Sequence, residues 1–132
     1  MWGTYQQSSI RIELDASASE IRQSLIDTAA LKEWLAPQQL YLGDSRSPLV
    51  GELATGQSFE SVLGPLKVSH RVEVLSEGGI RLLLSKGIDG FHEWQWGDGW
   101  VQSRLEGISL LPLNLGQTAS ITRLRRYLQS SS

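Results

Sequence analysis

Residues 12–37, "IELDASASEIRQSLIDTAALKEWLAP", decide the fold, because the hydrophobic period changes within them. Ile10, Ile12 and Leu14 alternate with Arg11, Glu13 and Asp15, the pattern of a half-buried strand. Ser17-Ala18-Ser19-Glu20 then has the form of a capping box, in which the serine hydroxyl and the glutamate carboxylate each accept the other residue's backbone N–H. Ile21, Leu25 and Ile26 follow at helical spacing and predict a short helix over 18–27. Asp27 or Thr28 caps a second helix with Leu31, Trp34 and Leu35 on one face. Pro37 ends it, since proline disfavours the helical conformation in the residue before it.

Beyond Pro37 the pattern reads as strands. Leu40 and Leu42 suggest one, residues 43–56 a loop, and Phe59 to Leu63 another strand that stops at Gly64-Pro65. Leu66, Val68, His70, Val72 and Val74 form the clearest period-2 stretch, followed by a turn at Glu77-Gly78-Gly79 and by Ile80, Leu82 and Leu84. Closing this hairpin on 77–79 sets Val74 opposite Leu82, Val72 opposite Leu84 and His70 opposite Lys86. A second hairpin at Gly97-Asp98-Gly99 sets Trp96 opposite Trp100, Trp94 opposite Gln102 and His92 opposite Arg104. A turn near Asn114-Leu115-Gly116 leads to a final strand through Ile121, Leu124 and Leu128, and then to a polar tail. The class is α+β: one strand, two short helices, then consecutive antiparallel strands, for a sheet of about seven.

With 132 residues the chain reads as a single domain, 1–132, large enough to bury roughly two thirds of its surface. The absence of cysteine excludes disulfides and thiolate metal sites and suits a cytoplasmic location. Twelve Lys+Arg against 14 Asp+Glu leave a net charge of −2, without the basic excess of a nucleic-acid binder. No apolar run is long enough to span a bilayer, and residues 1–15 lack a signal-peptide pattern. No carboxylate stands at a metal-binding spacing from either histidine, so neither a metal nor a cofactor is expected.

The order of elements resembles the helix-grip or START-like (SRPBCC) superfamily, which includes polyketide cyclases, lipid-transfer domains and birch-allergen-like proteins. Residues 12–37 look like its first strand, helix pair and closing tryptophan, here Trp34. "GQTASITRL", 116–124, looks like its final strand with a Gly-x-Thr entry at Gly116 and Thr118. The resemblance implies a curved sheet around a cavity for lipids, polyketides or other apolar ligands. The superfamily ends in a long helix along the concave face. Here only Gln129 to Ser132 follow the last strand, so that helix reads as absent. An uncovered concave face then calls for a partner, and a homodimer through that face is expected.

Parity places His92, Trp94, Trp96, Trp100, Gln102 and Arg104 on one face. Such a face suits an aromatic or polyene ligand with a polar end; equally, it fills a core or a dimer contact. The expected wall is Trp34, Phe59, Leu82, Leu84, Trp94, Trp96 and Trp100, with His70, His92 and Arg104 as orienting polar groups. Arg104 would hold a ligand carboxylate, or pair with Glu106 two residues on. His70 and His92 are the candidates for a general acid or base, against the alternative of satisfied core histidines. Glu60 and Glu93 fall on outward positions or margins. With no sharper catalytic constellation, binding of a small apolar or amphipathic molecule is the leading reading. The alternatives are a cyclase or dehydratase and a dimerising interaction module.

Overall fold

The capping box at Ser17 forms as its residue types require. In the computed structural model, which describes residues 3–42, 47 and 49–130, Glu20 N donates to Ser17 Oγ and Ser17 N donates to Glu20 Oε1, both at 3.1 Å. Strand β1 (Thr4–Glu13) thus passes into helix α1 (Ala18–Ile26), and Asp27 caps α2 (Thr28–Trp34) by accepting from Ala29 N. Strands β2 (Gln39–Leu42), β3 (Ser58–Leu63), β4 (Leu66–Ser76), β5 (Gly79–Lys86), β6 (Asp89–Gly97) and β7 (Trp100–Ser109) follow, and helix α3 (Leu113–Ser130) closes the chain. The sheet is antiparallel, in the order β1-β7-β6-β5-β4-β3-β2. The expected loop over 43–56 falls partly outside the described residues.

The C-terminal helix expected to be absent is present. Leu113, Gln117, Ile121, Leu124 and Leu128 are all buried, and their spacing of four, four, three and four makes one helical stripe. The residues read as a final strand therefore belong to α3, which packs on β1 and β7 and meets α1 and α2. Gln6 on β1 fixes where it starts: its Oε1 accepts from Leu113 N at 2.9 Å and its Nε2 donates to Leu111 O at 2.9 Å. With α3 on the concave face, the reason for expecting a second copy there disappears. No helix among the described residues is long and apolar enough to cross a membrane.

Both hairpins differ from the expected register. In β4–β5, Ser76 pairs with Gly79 and a bulge lies between Val72 and Val74, so Val72 meets Leu82 and His70 meets Leu84. The net shift is two residues, which leaves His70 and Leu84 on the expected face. In β6–β7, Gly97 pairs with Trp100, Trp96 with Val101, Trp94 with Ser103 and His92 with Leu105. This slip is one residue, and it exchanges the faces of β7. Val101, Ser103 and Leu105 point inward, whereas Trp100, Gln102 and Arg104 point outward. The Trp100 ring lies so close over Gly97 that a Cβ there would stand 2.4 Å from its Nε1. The Arg11 guanidinium lies over the Trp100 ring, 4.2 Å from its centre.

The core lies between the sheet and the three helices. Trp34 is buried against Trp94 in an edge-to-face pair, centroids 6.2 Å apart, and its Nε1 donates to Ser24 O on α1 at 2.8 Å. It joins both short helices to the sheet.

Candidate ligand cavity

A cavity of about 370 Å³ lies between the concave face and α3. Val68, Leu84 and Leu105 bound it on the sheet side, and Leu113, Gln117 and Ser120 on the helix side. A smaller hollow of about 100 Å³ extends toward the helix pair, walled by Trp34, Phe59, Leu82 and Trp94. Gln38, Ser61, His70, His92 and Ser120 border both. Among the described residues, no Asp, Glu, Lys or Arg lines either space. Leu63, Leu111 and Leu115 border the larger one and are exposed, so its margin is apolar.

Its polar groups form two short networks. His70 stacks on Phe59, planes 2° apart, and shares a hydrogen bond with Ser61 Oγ through Nε2 at 2.9 Å. His92 lies beside Trp94 and shares one with Ser103 Oγ through Nε2 at 2.7 Å. Gln117 Nε2 donates to Ser103 Oγ at 3.0 Å, to Ser103 O at 2.9 Å and to Ser8 O at 3.2 Å. Ser103 Oγ thus lies between Gln117 Nε2 and His92 Nε2. Burial pulls the His70 imidazole down to about 4. Burial, with a lesser contribution from the His70 charge, pulls His92 down to about 3. Both rings are neutral at pH 7, so the described residues that line the cavity bring no charge to it.

Of the residues expected at the site, Trp34, Phe59, His70, Leu82, Leu84, His92 and Trp94 line the two spaces. Trp96 does not: it is buried at the hairpin end, with Nε1 donating to Glu77 O at 3.0 Å. Trp100 and Arg104 lie on the opposite face of the sheet. Arg104 pairs with Glu106 at 3.0 Å and leans on Phe91. It cannot hold a carboxylate in this cavity. Glu60, expected at an outward position or a margin, lies on the outer face but is buried there and bound by Lys86, Ser69 and Lys67; Lys86 above all holds its carboxyl down at about 2. Sequence reading missed Gln117 and Ser120, because their segment was read as strand, and Ser103, because the β7 faces were exchanged. The helical spacing around Gln117 was the signal available.

No family model matches the chain, and no curated protein matches it in sequence. Solved structures do. DynU16, a protein of the dynemicin biosynthetic locus, superposes with a TM-score of 0.70 at 15% identity over 96% of this chain; the chain spans 48% of its length. Norcoclaurine synthase from Thalictrum flavum, in complex with dopamine and hydroxybenzaldehyde, gives 0.67 at 11% identity, covering 98% of this chain and 90% of that one. The Aha1 dimer from Colwellia psychrerythraea gives 0.66 at 14%, covering 93% and 96%. The chain has the helix-grip fold. At these identities the likeness establishes the architecture alone. In helix-grip terms, α3 is the long helix on the concave face, and the cavity is the space it encloses with β3 to β7.

Proposed function

We propose that the protein binds a small apolar or amphipathic molecule between its sheet and α3. The observation that carries this reading is a mainly apolar cavity of about 370 Å³ containing a few fixed, uncharged polar groups. Volume and lining both match the usual properties of small-molecule sites. The exposed Leu63, Leu111 and Leu115 at its margin give an apolar compound a path from the surface.

Trp34 and Trp94 border the smaller space and report occupancy. Titration with apolar dyes or medium-chain alcohols should quench tryptophan emission with micromolar affinity, about −8 kcal/mol. Arg104→Ala should leave that affinity within about twofold, since the side chain lies across the sheet, where a surface ion pair contributes little. Failure of every apolar probe to bind would refute the reading. A tenfold loss on Arg104→Ala would show that ligands bind the outer face instead.

The convergence of His70 and His92 on one cavity supports a second reading, a cyclase or dehydratase acting on the bound molecule. A neutral imidazole is the form that accepts a proton from substrate. Binding remains the leading reading because, among the described residues, neither ring has a carboxylate partner within hydrogen-bonding distance to orient it as a base; each meets a serine hydroxyl.

A further inference from the structure

We infer that the ligand is a molecule whose hydroxyl or carbonyl group stands between two apolar parts, and that Gln38 and Ser120 receive that group at the junction of the two spaces. This names a ligand class for the site and rests on the binding reading above. The described residues that border both spaces are all polar: Gln38, Ser61, His70, His92 and Ser120. They form a polar junction between two mainly apolar chambers. His70 is engaged with Ser61, and His92 with Ser103. Gln38 and Ser120 are half-buried, and among the described residues neither side chain makes a hydrogen bond. Neither belongs to the polar groups shut away without a partner, which are on Arg22, His70, Arg81 and Gln117. Their polar atoms are therefore both open and uncommitted. A helical serine often donates to the carbonyl four residues back, as Thr118 does to Asn114 O; the Ser120 hydroxyl makes no such bond. The amide and the hydroxyl can each donate and accept, so together they suit an alcohol or a ketone. The chambers set the sizes of the apolar parts. An apolar cavity of about 150 Å³ takes up a benzene ring, so by proportion about 100 Å³ holds about four carbon atoms and about 370 Å³ holds about fifteen. The polar group thus divides a large apolar body from a short arm.

The test uses three probes that share a naphthyl ring sized for the larger space and a short chain sized for the hollow: 1-(2-naphthyl)butan-1-ol, its isomer 4-(2-naphthyl)butan-1-ol, and 2-butylnaphthalene. The two alcohols contain the same atoms and differ in whether the hydroxyl falls at the junction or at the chain end. Calorimetry on the wild-type protein should show the first alcohol binding about tenfold tighter than either other probe, the effect of two hydrogen bonds. The double variant Gln38→Met, Ser120→Ala removes both polar groups at half-buried positions, and alanine is a better helix former than serine. In it the two alcohols should bind within about twofold of each other, with 2-butylnaphthalene still bound as evidence that the cavity persists. Ser120→Ala alone should reduce the preference to about threefold, which keeps the test available if the double variant does not fold. Equal binding of the two alcohols by wild type would overturn the inference while leaving the binding reading intact. A tenfold preference that survives in these variants would overturn it too, by assigning the hydroxyl to other groups. If none of the three probes binds, the binding reading fails and this inference with it.

Discussion

Stability should fall by about 6 kcal/mol between pH 7 and pH 4, with most of the loss below pH 6.5. The cause is the pair of imidazoles in the cavity. His70 is held at about 4 and His92 at about 3, against 6.5 for the free side chain. Both folded values are depressed, so between them and 6.5 the unfolded chain binds more protons than the folded one. Unfolding is then favoured as the pH drops. At pH 4 each histidine contributes about 3 kcal/mol of this loss. The sum is a large part of the whole stability of a domain of this size. Glu60, held at about 2, acts in the same direction but lower, between 4.5 and 2. Denaturant melts at pH 7, 5.5 and 4 measure the slope. The double variant His70→Gln, His92→Gln should flatten it across this window. A wild-type stability that stays level from pH 7 to pH 4 would show that the rings are hydrated and charged in the fold.

Replacing Trp34 by alanine should cost about 3–5 kcal/mol, the usual range for removing a buried aromatic side chain. The indole is 5% exposed, packs edge-on against Trp94 and ties α2 to α1 through Ser24 O. Trp34→Phe keeps most of the packing and loses the N–H bond, so it should cost nearer 1 kcal/mol beyond the reduction in ring size. The shift in denaturant midpoint at unchanged slope gives both values. A loss below about 1 kcal/mol for the alanine variant would mean that Trp34 does not join the helix pair to the sheet.

Local chemistry was legible in the sequence wherever one residue type carries a direct structural consequence. Ser17 and Glu20 cap α1, Asp27 caps α2, Gly64-Pro65 separates β3 from β4, and the inward set Phe59, His70, Leu82, Leu84 and Trp94 follows from period-2 alternation. The errors arose where two periods compete. Ile121, Leu124 and Leu128 stand at helical spacing, but Gly116 and the β-branched Thr118, Ile121 and Thr122 favour extended structure. What settles the conflict is tertiary: Leu113 to Leu128 bury one stripe on the concave face, and Gln6, more than a hundred residues away in the chain, pins the first turn. The β6–β7 slip has the same character. Asp98-Gly99 and Gly97-Asp98-Gly99 are both workable turns, and apolar residues occur on both faces of β7. The choice falls to packing of Trp100 over Gly97 and under Arg11, contacts that no local pattern reveals. That one-residue difference moved Arg104 across the sheet and with it the expected preference for acids. The polar side of the cavity was illegible for this reason: Ser103 and Gln117 acquire their roles only when β7 and α3 are both in place.

The central claim is that ligands enter the space between the concave face and α3, and the tryptophan indole N–H signals test it directly. Trp34 and Trp94 border the smaller hollow that shares His70 and His92 with that space, whereas Trp100 lies on the other side of the sheet. In nitrogen–proton correlation spectra, saturating 2-naphthol should move the Trp34 and Trp94 signals and leave Trp100 in place. Movement of Trp100 alone, or no movement of any indole signal at saturation, would contradict the account.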